Sequence, residues 1–204
     1  SEKRRFWDKL YLRKRGTMKA FQHLTAGVCA LLCATITLTA FGKPQGPSAS
    51  AKKGDTFYTK FSLYYEKGTH ITTNYRRGVF LPVNSAVAFV KANRNQITVQ
   101  LANGENLVIQ NIQDYSGENI DGIFSRTLGK DKLDLSQFTT EERSAIAEGK
   151  AVPGMGKEAV TVALGYPPKH KTPSLESNEW RYWSSRYGTF TVRFKDGKVA
   201  EVKN

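Results

Sequence analysis

Past Cys33 the chain contains no cysteine. A disulfide framework and a thiol nucleophile are therefore excluded for residues 34–204. Histidine is nearly as scarce, with three residues in 204, and only His70 and His170 lie beyond the N-terminal apolar stretch. No HExxH stretch and no Cys/His spacing suited to zinc occurs, so no metal site is expected. No GxSxG nucleophile elbow is present. Gly156-Lys157 is no phosphate loop, because Ala151 and Glu158 stand where glycine and Ser/Thr would be needed. Acids are few, 18 against 31 Lys and Arg, and no acid/base pair is evident among them. A non-catalytic protein without a cofactor is expected.

Basic charge, by contrast, is plentiful. The formal net charge is +13; residues 1–17 carry +5 of it, and Lys19 one more, which leaves +7 for the rest. Such an excess favours anionic partners such as phospholipid headgroups or acidic polymers, although a solvated basic surface is the commoner cause. Nucleic acid is not expected, because no recognisable motif places stacking aromatics along a basic stripe. The 39% hydrophobic and 11% aromatic content is that of a folding chain.

An apolar run from Leu24 to Phe41 follows Met18-Lys19 and this basic leader. The pattern reads as a signal peptide or membrane anchor over 18–42, with 1–17 a basic upstream extension. Small residues at Ala40 and Gly42 make cleavage after Gly42 the leading expectation. A retained positive-inside anchor is the rival. Lipidation fits less well, because Cys33 follows Leu32 and Cys29 follows Val28 rather than a small residue. The protein is expected to be exported, periplasmic and membrane-associated.

Residues 43–55 (KPQGPSASAKKGD) read as a linker. From Thr56 to Ile112 short β-rich pieces follow one another, with Asn103-Gly104 as a hairpin signal. Five or six strands in that span predict a small closed barrel over 56–112. Residues 113–138 form a connecting segment without chemistry of their own. At Thr139 the period becomes helical, and Thr139 with Glu142 predicts a capping box. A second helix follows Gly154-Met155-Gly156, stops at Gly165 and cannot continue past Pro167-Pro168. Three strands then complete an ααβββ order over 139–204, with Asp196-Gly197 turning the last hairpin.

This ordered set of C-terminal residues resembles the BamE-like (SmpA/OmlA) family of outer-membrane assembly lipoproteins. The resemblance rests on Gly154, Met155, Leu164, Gly165, Pro167, Trp180, Tyr182, Phe194 and Gly197, with Gly149, Asp196 and Lys198 in step. The phrase VFLPVNSAVAFV is more loosely similar to bacterial SH3-like barrels. The fold implied is α+β, a small SH3-like β-barrel followed by a BamE-like ααβββ domain. The implied role is an interaction or scaffold module of the cell envelope, linked to outer-membrane assembly or envelope integrity, with other envelope proteins as partners. A module binding peptidoglycan or anionic lipid is the alternative. The ααβββ order also resembles that of a β-lactamase-inhibitor protein, which implies an inhibitor of an envelope enzyme as a further alternative.

Strand alternation puts Trp180 and Tyr182 on one face, where they are expected to pack on the two helices, and Arg181 and Trp183 on the other. Arg181 and Trp183, with Arg193 on the neighbouring strand, form one candidate partner-binding patch. Tyr75, Arg76 and Arg77 form a second. His170, between Lys169 and Lys171, is expected on a solvated loop, and His70 at a turn or strand edge.

Overall fold

Residues 46–204 are described by the structure, a computed structural model. The basic leader, the apolar run and both cysteines lie outside the described residues, as do the cleavage, anchor and lipidation alternatives. Among the described residues no helix is long and apolar enough to cross a membrane. The described part is α+β and falls within one compact unit.

The first strands are short: β1 (Thr56–Thr59), where Phe57 and Thr59 turn inward, β2 (Leu63–Tyr65), β3 (Thr69–Ile71) and β4 (Val79–Leu81). Three longer strands follow, β5 (Ala86–Ala92), β6 (Gln96–Gln100) and β7 (Asn106–Gln110). The run TFYTKFSLYYE is broken at Lys60–Ser62 into β1 and β2. A two-residue strand, β8 (Leu128–Gly129), joins the other edge of β1. The main sheet runs β3-β7-β6-β5-β1-β8, while β2 and β4 pair separately. Its hydrogen-bonded ladder is linear, with β3 and β8 as edges, so it curls without the closure predicted from the strand count. The β3–β7 pairing is parallel, a long-range partnership that no hairpin signal announces.

Helix α1 (Pro47–Ser50) is a single turn inside the stretch read as a linker. Proline at its first position presets the helical φ, and Ser48 bonds the Asp121 carboxylate through both its amide and its hydroxyl. That end of the linker is therefore docked. Residues 113–138 also do more than connect. Helix α2 (Gln113–Ser116) is followed by α3 (Ile120–Thr127), capped by Asn119, whose side chain accepts from the Gly122 amide. Ile123 and Phe124 of α3 enter the core of the curled sheet. Phe124 makes edge contacts with Phe57 and Phe89 at centroid distances of 5.1 and 5.9 Å.

The C-terminal elements follow in the expected order: α4 (Thr140–Ala147), α5 (Lys157–Leu164), then β9 (Glu179–Trp183), β10 (Thr189–Lys195) and β11 (Lys198–Lys203). Thr139 and Glu142 form the capping box. Glu142 also accepts the Gly156 amide at 2.8 Å, which caps α5 from α4, since Gly156 has no side chain to do it. These amide donors, the Gly156 one foremost, hold the Glu142 carboxyl below its usual pKa. Met155, Ala159, Val160, Ala163 and Leu164 bury against Trp180, Tyr182, Val192 and Phe194 of the antiparallel sheet β11-β10-β9.

The Asp-Gly and Asn-Gly turns part company. Asp196 and Gly197 both take positive φ, 52° and 76°, as a two-residue hairpin turn requires. At the other turn only Gly104 does, at 85°. Asn103 instead accepts from the Glu105 amide, and the loop widens to Leu101–Glu105, closed by the Leu101 amide on the Glu105 carbonyl.

Candidate interaction groove

The segment between β3 and β4 ties the curled sheet to the C-terminal layer. Asn74, at φ 57°, turns its amide toward the end of α5 and donates to the Leu164 and Tyr166 carbonyls at 2.7 and 3.1 Å. Arg76 donates to Leu164 O at 2.9 Å and to Gly149 O, at the C-terminal ends of α5 and α4. One guanidinium thus meets the negative ends of two helix dipoles. Its other face lies 4.8 Å from the centroid of the Tyr64 ring. Tyr182 donates its hydroxyl to Gly165 O at 3.0 Å, and burial pushes the phenol pKa upward. The sequence predicts a partner-binding role for Arg76, but in the structure it is half-buried and its donors serve internal carbonyls.

On this seam the structure opens a groove of about 230 Å3. Tyr64 of β2, Thr69 and Ile71 of β3, Glu66, Tyr75 and Arg77 form one side, and Ser185 and Arg186 of the β9–β10 loop the other. Tyr75 and Trp183 form a parallel bridge, and the Arg76 amide donates to the Trp183 carbonyl at 3.0 Å. Arg77 grips Glu66 through two nitrogens at 2.7–3.2 Å. Both side chains of that pair are about half exposed, so it contributes roughly 0.5 kcal/mol and mainly orients the arginine. Arg186 has no carboxylate within ion-pair distance among the described residues. Beyond it Tyr187 is 86% exposed at the loop tip, with the Arg186 guanidinium 5.6 Å from its ring centroid.

The patch expected from Arg181, Trp183 and Arg193 is divided. All three lie on the outer face of the sheet, but they do not act together. Arg193 is held between Glu179 at 2.8 Å and Glu201 at 2.7 Å, a neutralised ladder across three strands. Trp183 turns toward the seam, its ring 6.4 Å from Tyr75 on one side and 6.4 Å from His170 on the other. Arg181 remains exposed. The groove therefore unites Tyr75 and Arg77 from one candidate set with the neighbourhood of Trp183 from the other. Arg186 and Tyr187 were missed, although an Arg-Tyr pair in the loop Ser-Ser-Arg-Tyr-Gly is a readable signal for an exposed binding tip.

The fold-signature residues have structural duties. Gly154 and Gly165 adopt φ of 91° and 76°, and a Cβ on Gly165 would press on Phe61. Met155, Leu164, Trp180, Tyr182 and Phe194 are buried, and Gly197 turns the hairpin. Pro167 is buried just past the end of α5.

His70 lies on edge strand β3 as expected, but its side chain points inward. Its ring is buried, with Nδ1 2.8 Å from Tyr64 O, and burial pushes its pKa down to about 4. A cavity of about 10 Å3 beside it, also lined by Thr72, Asn74 and Arg126, is water-sized at most and cannot be a substrate site. His170 is exposed as expected, yet its ring lies between Tyr115 at 4.5 Å and Trp183 at 6.4 Å. Among the described residues no group of three His, Cys, Asp or Glu could hold a metal ion. Searches against family models, curated proteins and solved structures found no match.

Proposed function

We propose that this chain is an exported, non-catalytic module of the cell envelope that binds another envelope protein through the Tyr–Arg groove. The observation that carries this reading is the composition of the groove. Tyr64, Tyr75, Arg77 and Arg186 line it, and Tyr187 is exposed next to Arg186 in the same loop. Tyrosine and arginine are the residues that dominate binding energy at protein interfaces. The apolar run behind a basic leader supports export. The finer fold assignment, an SH3-like curled sheet left open between its edges β3 and β8 and followed by a BamE-like ααβββ domain, is part of the same proposal. The C-terminal half is supported by the helix–bend–helix–three-strand order and by the positive φ of Gly154 and Gly165. A role in outer-membrane assembly or envelope integrity follows from that resemblance.

A photo-crosslinking residue in place of Arg186 in intact cells tests the groove, with the same residue at Ala200, exposed on β11, as the control. A discrete adduct with one envelope protein at 186 and none at 200 is expected. No adduct at 186, or equal adducts at both, overturns the reading. The alternative of an anionic lipid or peptidoglycan ligand is favoured by the cations without carboxylate partners. It requires salt-sensitive cosedimentation with liposomes or sacculi that survives removal of Tyr64 and Tyr75.

A further inference from the structure

We infer that the binding surface extends beyond the groove along a row of four rings, Tyr115, His170, Trp183 and Tyr75, and that its partner is an acidic polypeptide segment. This rests on the reading of the groove as an interaction site and gives that site a direction and a chemistry.

Each ring comes from a different part of the chain, so no local sequence pattern announces the row. Tyr115 belongs to α2, His170 to the stretch after α5, Trp183 to the end of β9 and Tyr75 to the seam segment. Successive centroids are 4.5, 6.4 and 6.4 Å apart. Backbone bonds hold the row in place: the Lys169 amide donates to Tyr115 O at 2.8 Å, and the Arg76 amide to Trp183 O at 3.0 Å. The outer ring, Tyr115, is 42% exposed although it is large and apolar over most of its surface. A pre-ordered, partly exposed aromatic row offers contact area at little entropic cost.

Charge selects the partner. Lys169 and Lys171 flank His170, and Arg181 stands two residues before Trp183 on the same strand face. All three are exposed and none has a carboxylate within 4 Å among the described residues. Elsewhere on the same sheet face Arg193 is matched by two glutamates. The cations around the row are thus left for an external acid, while the rings favour aromatic and aliphatic side chains between the acids.

The test uses the full-length protein in zwitterionic micelles and a glutamate-rich Glu/Tyr copolymer as the probe. Binding is read from the Trp183 indole N–H signal, assigned by its loss in Trp183→Phe. The signal is expected to move on titration. Tyr115→Ala and Arg181→Glu should each weaken binding roughly tenfold, the size of a single hot-spot contact. Arg94→Glu, on the exposed turn between β5 and β6, should leave it unchanged. An unmoved signal overturns the inference. So does equal weakening by Arg94→Glu, which marks an unspecific charge effect. Equal displacement by polygalacturonate or by vesicles containing anionic lipid also overturns it, because the row would then read charge and not a polypeptide. Copolymer binding by the row without a crosslink at position 186 would refute the groove alone, and a crosslink without copolymer binding would refute the row alone.

Discussion

The curled sheet and the C-terminal layer solve the same problem with different reach. In the C-terminal layer consecutive elements pair with one another: α4 with α5, β9 with β10, β10 with β11. In the curled sheet the decisive partnerships are distant: β1 pairs with β5 and β8, β3 runs parallel to β7, and Phe124 of α3 reaches Phe57. The seam segment joins them, placing Arg76 and Asn74 on the carbonyl ends of α4 and α5. A local unit and a non-local one thus become a single body, and the groove and the aromatic row exist only along their junction.

The comparison breaks most visibly at Phe124. Phe124→Ala removes the ring shared by Phe57 and Phe89 and should cost about 3–5 kcal/mol. If the two regions are one cooperative unit, urea unfolding followed separately at the Ile97 amide of β6 and the Val192 amide of β10 should shift by the same amount. A shift in only one signal would separate them.

His70 sharpens the comparison through pH. Its folded pKa lies below the unfolded value of 6.5, at about 4, chiefly because it is buried, with Arg126 and Arg76 adding to the shift. The unfolded chain therefore binds the extra proton, and stability rises with pH across this window. The contribution is complete above about pH 6.5 and is lost as pH falls toward 4, on the order of 3 kcal/mol in all. Denaturation midpoints of His70→Phe measured from pH 7 to 4 should fall less steeply than those of the parent.

Arg76→Met keeps the stem but withdraws the guanidinium from the Leu164 and Gly149 carbonyls. A loss of about 2 kcal/mol is expected, because half-buried acceptors are left unpaired. The two unfolding signals should then drift apart. Thr139→Ala removes half of the capping box and should cost about 1 kcal/mol, first seen as faster amide exchange in α4. Arg77→Ala should change stability by less than about 0.5 kcal/mol yet reduce crosslinking from position 186.

What could be read in advance follows the same division. The capping box, the stops at Gly149 and Gly165 and the Asp196-Gly197 turn are local chemistry, so residues within a few positions of one another announce them. The burial of Trp180 and Tyr182 follows from strand alternation. The linear sheet order, the docking of Ser48 on Asp121 and the inward turn of His70 depend on partners 40 or more residues away, or on three-dimensional closure. Arg76 and Arg77 are the sharpest case. They are adjacent and identical in type, but one lies on two helix ends and the other faces Glu66 at the groove. Only the position of α4 and α5 distinguishes them. The groove is half visible in the sequence: Tyr75 and Arg77 stand out beside one another, whereas Arg186, across the seam, and Tyr187 after it have no local cue that links them to that pair.

The claim on which the rest depends is that the two regions open together. Native-state hydrogen exchange of the Ile97 amide in β6 and the Val192 amide in β10 measures it directly, since both lie in central strands of their sheets. The same opening free energy and the same denaturant dependence at both amides are predicted. A lower-energy opening at Val192 that leaves Ile97 protected would contradict the account.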